Sequence, residues 1–260
     1  MKTFMNMNLC VAALAAAAIV PVASASIVIS PGTGTSMALG YQETGSSQVV
    51  VYDNQTGDLD GSVGNMSVED NGGSASPDYT GTFSAYTTST SSSTILQGLQ
   101  LAFRNTGLTQ ETITIEVTEV GLTVPQGNSV SLQNDLSGTI TNAGGSKAAP
   151  DNVTFTSYAD PANGWGTMLN GTPTATYNAS PSSPSSPLQS FAEPTTMTTF
   201  ATSGSYSLTD VLTITLSGGA SANISDTTQT TAAPEPASLA MLGMGGAGLL
   251  LVRRRKIAKA

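Results

Sequence analysis

Histidine is absent from all 260 residues, and the single cysteine, Cys10, lies close to the N-terminus. The first absence removes Ser-His-Asp and Cys-His catalysis and every His-ligated metal centre. The second removes a disulfide framework and a thiolate metal site from everything beyond residue 25. Positive charge is scarce: eight Lys plus Arg stand against seventeen Asp plus Glu, for a net charge of −9. Between residues 26 and 233 the only basic residues are Arg104 and Lys147, while sixteen acids fall there. So acidic a stretch repels phosphate backbones, which argues against nucleic acid as a partner and for solubility in an extracellular setting. Aromatic residues make up only 5 % of the chain, so burial must rest mainly on aliphatic side chains.

What is present divides into three zones. Lys2 precedes an apolar run from Leu9 to Val22 that closes on Ala23-Ser24-Ala25. A positive start, an apolar stretch too short to span and small residues at Ala23 and Ala25 describe a secretory signal peptide over 1–25, handed to the secretion translocon and cut after Ala25. At the other end, Pro234-Glu235-Pro236 is followed by sixteen uncharged residues, Ala237 to Val252, and then by Arg253-Arg254-Arg255-Lys256. At 1.5 Å per residue that run reaches about 24 Å as a helix, short of the roughly 30 Å hydrocarbon core. The basic cluster stays cytoplasmic, so the span reads as a temporary stop in the inner membrane with Glu235 outside. Gly243 to Gly248 spell G-x-G-x-x-G, but without a strand before them or an acidic residue about 20 positions on they are no dinucleotide site.

Pro-Glu-Pro, a short apolar segment and an Arg-rich end, in that order, resemble the PEP-CTERM sorting signal of exported bacterial proteins. The resemblance covers 234–260 and implies recognition of Pro234, Glu235 and Pro236 by an exosortase, a membrane-embedded transpeptidase. It makes Arg253, Arg254, Arg255 and Lys256 the stop-transfer cluster. Val50–Asp60 and Tyr206–Ile214 are similar to segments of other exported proteins of that group. None of this assigns chemistry to the middle.

The middle zone carries period-two patterning and no helical periodicity. In Thr112-Ile113-Thr114-Ile115-Glu116-Val117-Thr118 apolar residues alternate with Thr and Glu, as a strand with one wet face requires. Residues 99–104, 48–53, 62–69, 79–86, 152–157, 207–217 and 220–224 read as further strands, and the turn at Asn105-Thr106-Gly107 suggests a hairpin joining 99–104 to the Ile113 strand. The expected fold is all-β, a two-layer antiparallel sandwich, Ig-like or jelly-roll-like, flanked by a signal helix and a C-terminal transmembrane helix. Its expected bounds are 26–225, with a Pro/Ser-rich surface loop near 160–195 and a flexible stalk at 226–233.

Two local features carry candidate chemistry. Asp53, Asp58 and Asp60 lie in Asp-Asn-Gln-Thr-Gly-Asp-Leu-Asp-Gly, where oxygen ligands on a turning loop suit calcium, although the spacing is not that of an EF-hand. The same residues equally serve a plain polar turn. Trp165, between Gly164 and Gly166, either stacks on a sugar or folds back onto the core. No catalytic residue is assigned and no cofactor beyond possible calcium. The leading expectation is a structural or adhesive surface protein of an exopolysaccharide matrix or biofilm. The alternatives are a hydrolase using two carboxylates or a calcium-dependent carbohydrate-binding module.

Overall fold

Val, Ile and Thr carry two heavy atoms on Cβ, and that branching favours the extended backbone. The computed structural model describes residues 27–141, 151–166, 172–173, 177–179 and 188–233. The expected signal peptide, with Ala23 and Ala25, and the tail from Pro234 onward lie outside them. Among the described residues every regular element is a strand, and no helix is long and apolar enough to cross a membrane.

In chain order the strands are β1 (Met37–Glu43), β2 (Val49–Tyr52), β3 (Asn65–Asn71), β4 (Tyr79–Ser89) and β5 (Ser93–Asn105). There follow β6 (Glu111–Leu122), β7 (Gly127–Thr141), β8 (Asn152–Asp160), β9 (Thr172–Pro173) and β10 (Tyr177–Ala179). The last three are β11 (Leu188–Thr202), β12 (Tyr206–Leu216) and β13 (Ser221–Ala232). The first sheet runs β10-β8-β12-β6-β1-β2, with β9 also on β8, and the second runs β11-β7-β13-β5-β4-β3. Antiparallel pairs nest inside one another: β5 with β13, β6 with β12, β7 with β11 and β8 with β10. That nesting is a chain folded back on itself and then rolled into two layers, a jelly roll. Of the two sandwich types expected, the topology selects this one.

The core lies between the layers. From the first sheet Ile113, Ile115 and Val117 of β6 and Leu208, Leu212 and Ile214 of β12 point inward and are fully buried. They meet Leu96, Leu101 and Phe103 of β5 and Ala222 and Ile224 of β13. Phe83 packs edge-on to Phe103 with centroids 4.7 Å apart, a preferred aromatic geometry. The Tyr206 hydroxyl, buried in this layer, donates to the Val124 carbonyl at 2.6 Å, which removes the cost of desolvating it. Outside the first sheet, Thr112 pairs with Thr215 and Thr118 with Thr209 through hydroxyl contacts of 2.8 and 2.9 Å across β6 and β12. A second, smaller cluster forms on that outer face, where Ile27, Ile29 and Ala38 are buried with Val50, Tyr52 and Trp165 against them.

Four expectations change. The turn at Asn105-Thr106-Gly107 is not a hairpin: β5 belongs to the second sheet and β6 to the first, so the connection crosses the sandwich. The loop expected over 160–195 is interrupted by β9 and β10 and ends at Leu188, where β11 begins along β7. The stalk expected at 226–233 is strand: β13 continues to Ala232 between β5 and β7, with Asp226, Thr228 and Thr230 buried. Strands β1, β7 and β11 were not expected at all.

Candidate functional site

The loop between β2 and β3 holds the three acids singled out above. Gly57 has φ +102° and Asn54 φ +57°, left-handed values that favour these two residue types in a tight loop. Each carboxylate then closes the loop on itself. Asp58 accepts the Asn54 amide at 2.9 Å through one oxygen and those of Asp60 and Ser67, both at 3.0 Å, through the other. Asp53 accepts the Gly64 amide at 2.9 Å and Asn54 Nδ2 at 3.0 Å, and Asp60 accepts the Ser62 amide at 2.8 Å. The carboxylates thus serve as turn acceptors. Among the described residues no three His, Cys, Asp or Glu side chains gather where they could hold a metal ion.

Trp165 follows β8 on a loop tied down by Asp160, which accepts the Ala162 and Gly164 amides at 2.8 and 3.0 Å. The Gly121 amide donates to Asn163 Oδ1 at 2.6 Å and pins the same loop to the end of β6. The indole is half-buried and lies edge-on to Tyr52, centroids 6.3 Å apart at 73°. It caps the small outer cluster with Ile27 and Ile29, which places the ring in packing.

The open surface that sequence reasoning did not point to is the outer face of the second sheet. There Thr82 and Ser84 of β4, Ala102 of β5, Asn223 and Ser225 of β13 and Ser137 of β7 line a groove of about 470 Å³. A second hollow of about 420 Å³ continues it past Thr82, Ala102 and Asn223 to Arg104 and Ser221. Small residues at alternate positions of four adjacent strands, polar on β4, β7 and β13 and Ala102 on β5, make the hollow, and only the strand order brings them together. The lining offers hydroxyl and amide groups that donate and accept hydrogen bonds. Its two acids, Glu69 and Asp70, are neighbours on β3 and point to opposite faces: Glu69 is exposed, whereas Asp70 is buried and holds Ser76.

Sequence reasoning also missed buried acids, among them Glu119, Asp210 and Asp226. Glu119 of β6 is covered, receives hydrogen bonds from Thr87 and Ser36, and is pushed up to about 7, first by burial and then by the charge of Asp53. Asp210 of β12 and Asp226 of β13 face the interior from opposite sheets, and burial pushes both up, Asp210 to about 7. Polar residues at inward strand positions leave no trace in a hydrophobicity pattern.

Residues 232–256 match the PEP-CTERM protein-sorting motif. The chain carries a PEP-CTERM signal. That signal marks an exported protein recognised at the membrane by an exosortase, and it begins at Ala232, the last residue of β13. Pro234, Glu235, Pro236 and the Arg253–Lys256 cluster fall within the matched range. No curated protein matches the PEP-CTERM chain by sequence. Among solved structures it is similar to one described under "Structural basis for the promiscuous specificity of the carbohydrate-binding modules from the beta-sandwich super family". The identity is 8 %, the TM-score 0.26, and the match covers 74 % of this chain and 70 % of that one.

Proposed function

We propose that this protein is a structural or adhesive component of an extracellular polysaccharide matrix, delivered to the cell surface by exosortase processing of its tail. The observation that carries the reading is the PEP-CTERM match at 232–256, placed directly after the closing strand of an acidic all-β domain. The polar groove on the second sheet supports the adhesive part. A polysaccharide strand is extended, uncharged or acidic, and rich in hydroxyls, so it suits an open strip of Thr, Ser and Asn side chains. Among the described residues that line the groove of about 470 Å³ none is an acid, so it offers no carboxylate pair of the kind glycoside hydrolysis uses, which favours binding.

Two measurements test this. Intact mass of the surface-exposed product from the native host should show a C-terminus near Pro234, and replacing Pro234, Glu235 and Pro236 by alanine should leave Arg253–Lys256 attached. Recovery of the wild-type surface protein with its arginines would end the sorting reading. Electrophoresis through gels containing the host's exopolysaccharide should retard the protein, and Ala102→Glu should restore its mobility. Equal mobility with and without polysaccharide would end the adhesive reading.

A further inference from the structure

Two of the buried acids, Asp210 and Asp226, face each other from opposite sheets, and among the described residues no basic side chain stands beside them. Asp210 and Asp226 are 0 % and 1 % exposed, on consecutive strands of opposite sheets, and burial first, then the charge of Asp210 across the gap, pushes Asp226 up. The register neighbours are Val117 of β6 and Ser157 of β8 beside Asp210, and Leu136 of β7 beside Asp226. Thr228, next inward on β13, lies between Asn134 of β7 and Leu96 of β5. None of these is charged. Among the described residues the one basic side chain is Arg104, exposed on the far face of the second sheet. Asp210 Oδ1 is satisfied by the Thr228 hydroxyl at 2.6 Å, and Thr228 in turn meets Ser157 Oγ at 2.5 Å. Of the four carboxylate oxygens of this pair, three have no hydrogen-bond partner: Asp210 Oδ2, Asp226 Oδ1 and Asp226 Oδ2. Buried carboxylates are found paired, protonated or bound to metal, and unpartnered ones are strongly unfavourable.

We propose that a single divalent cation, of the calcium type, binds between Asp210 and Asp226 and joins the two sheets from within. The carboxylates neutralise its two charges, and the hydroxyls of Thr228 and Ser157 stand beside them as neutral oxygens. An all-oxygen set enclosed by packed strands suits Ca2+, which accepts irregular arrangements, over Mg2+, which gives up its water reluctantly. In a chain whose exported part holds no cysteine, such an ion takes the cross-linking place that a disulfide would fill.

The test is thermal unfolding of the full chain at pH 8, stripped with a chelator and then titrated with calcium chloride. Saturating calcium should raise the midpoint by roughly 5–10 °C. Asp226→Asn and Asp210→Asn are isosteric and remove a buried charge, so both variants fold; each should lose the calcium response and melt above the stripped wild type. Asp60→Asn, in the β2–β3 loop, should keep the response. A midpoint that calcium leaves unmoved but that rises on acidification would assign the place to a shared proton and overturn the proposal. A calcium response that survives Asp226→Asn, or that Asp60→Asn abolishes, would overturn it as well.

Discussion

Gly40 and Ile27 meet so closely that a Cβ on Gly40 would stand 2.6 Å from Ile27 Cγ2. The missing side chain lets the segment ahead of β1 lie flat on the outer face of the first sheet, where Ile27 is 2 % exposed. Gly40→Val should cost about 1–3 kcal/mol by overpacking. Because Trp165 is the sole tryptophan and belongs to the same cluster, its fluorescence reports the damage directly. The expected outcome is a red-shifted emission well below the global unfolding transition; an unchanged spectrum would show that the segment does not rest there.

The stability of the chelated protein should fall as pH rises. Asp210 is raised by burial from an ordinary carboxyl to about 7, and Glu119 likewise to about 7. A raised carboxyl contributes stability that is fully present below its unfolded value near 4 and is lost as pH climbs through its folded value. Urea unfolding should therefore give a stability at pH 5 greater than at pH 8 by about 2–4 kcal/mol. Asp210→Asn should remove about half of that difference and leave the share of Glu119. A protein equally stable at both pH values would contradict the burial of these groups.

Asp58 organises the β2–β3 loop through three backbone amides. Asp58→Ala leaves those donors without their acceptor and should cost about 1–3 kcal/mol. Hydrogen exchange should quicken at Asn54, Asp60 and Ser67 while the amides of β12 remain protected. Uniform exchange across both regions would count against a local role.

Gly138 lies under the β13 backbone, where an added Cβ would come within 2.5 Å of the Asn223 carbonyl oxygen. Backbone cannot yield as a side-chain tip does. Gly138→Ala should cost about 1–3 kcal/mol, as overpacking does, and should distort the groove floor between Thr139 and Asn223. Ser137→Ala, one residue away on the exposed side, should leave the midpoint within about 1 °C, since exposed substitutions are nearly neutral.

Strands with a plain hydrophobic alternation were legible in the sequence, β6 and β12 above all, because period two shows whenever inward positions are aliphatic. The strands that escaped share another trait. Inward positions of β7 include Asn134, and those of β13 include Asp226, Thr228 and Thr230, so a polar layer inside the core made both look like surface. Residues 226–233 read as a stalk for that reason, although threonine is a good strand former. In β11, Glu193 and Pro194 fall at a register irregularity against β7, a place where an edge strand tolerates proline. The supposed hairpin at Asn105 failed because local turn chemistry does not say which sheet receives the next strand. The groove needed Thr82, Ala102, Asn223 and Thr139, which lie far apart in sequence and meet only through the strand order.

The nested pairing sets an order of events during export. β13 is the last strand of the chain and a central one, with β5 on one side and β7 on the other. Until it arrives, β11–β7 and β5–β4–β3 are two separate fragments with open edges. Pro234 follows the end of β13 by two residues, so the strand that closes this layer is the stretch of chain directly ahead of the sorting motif. A polypeptide that stopped short of β13 would hold the second layer as two half-sheets.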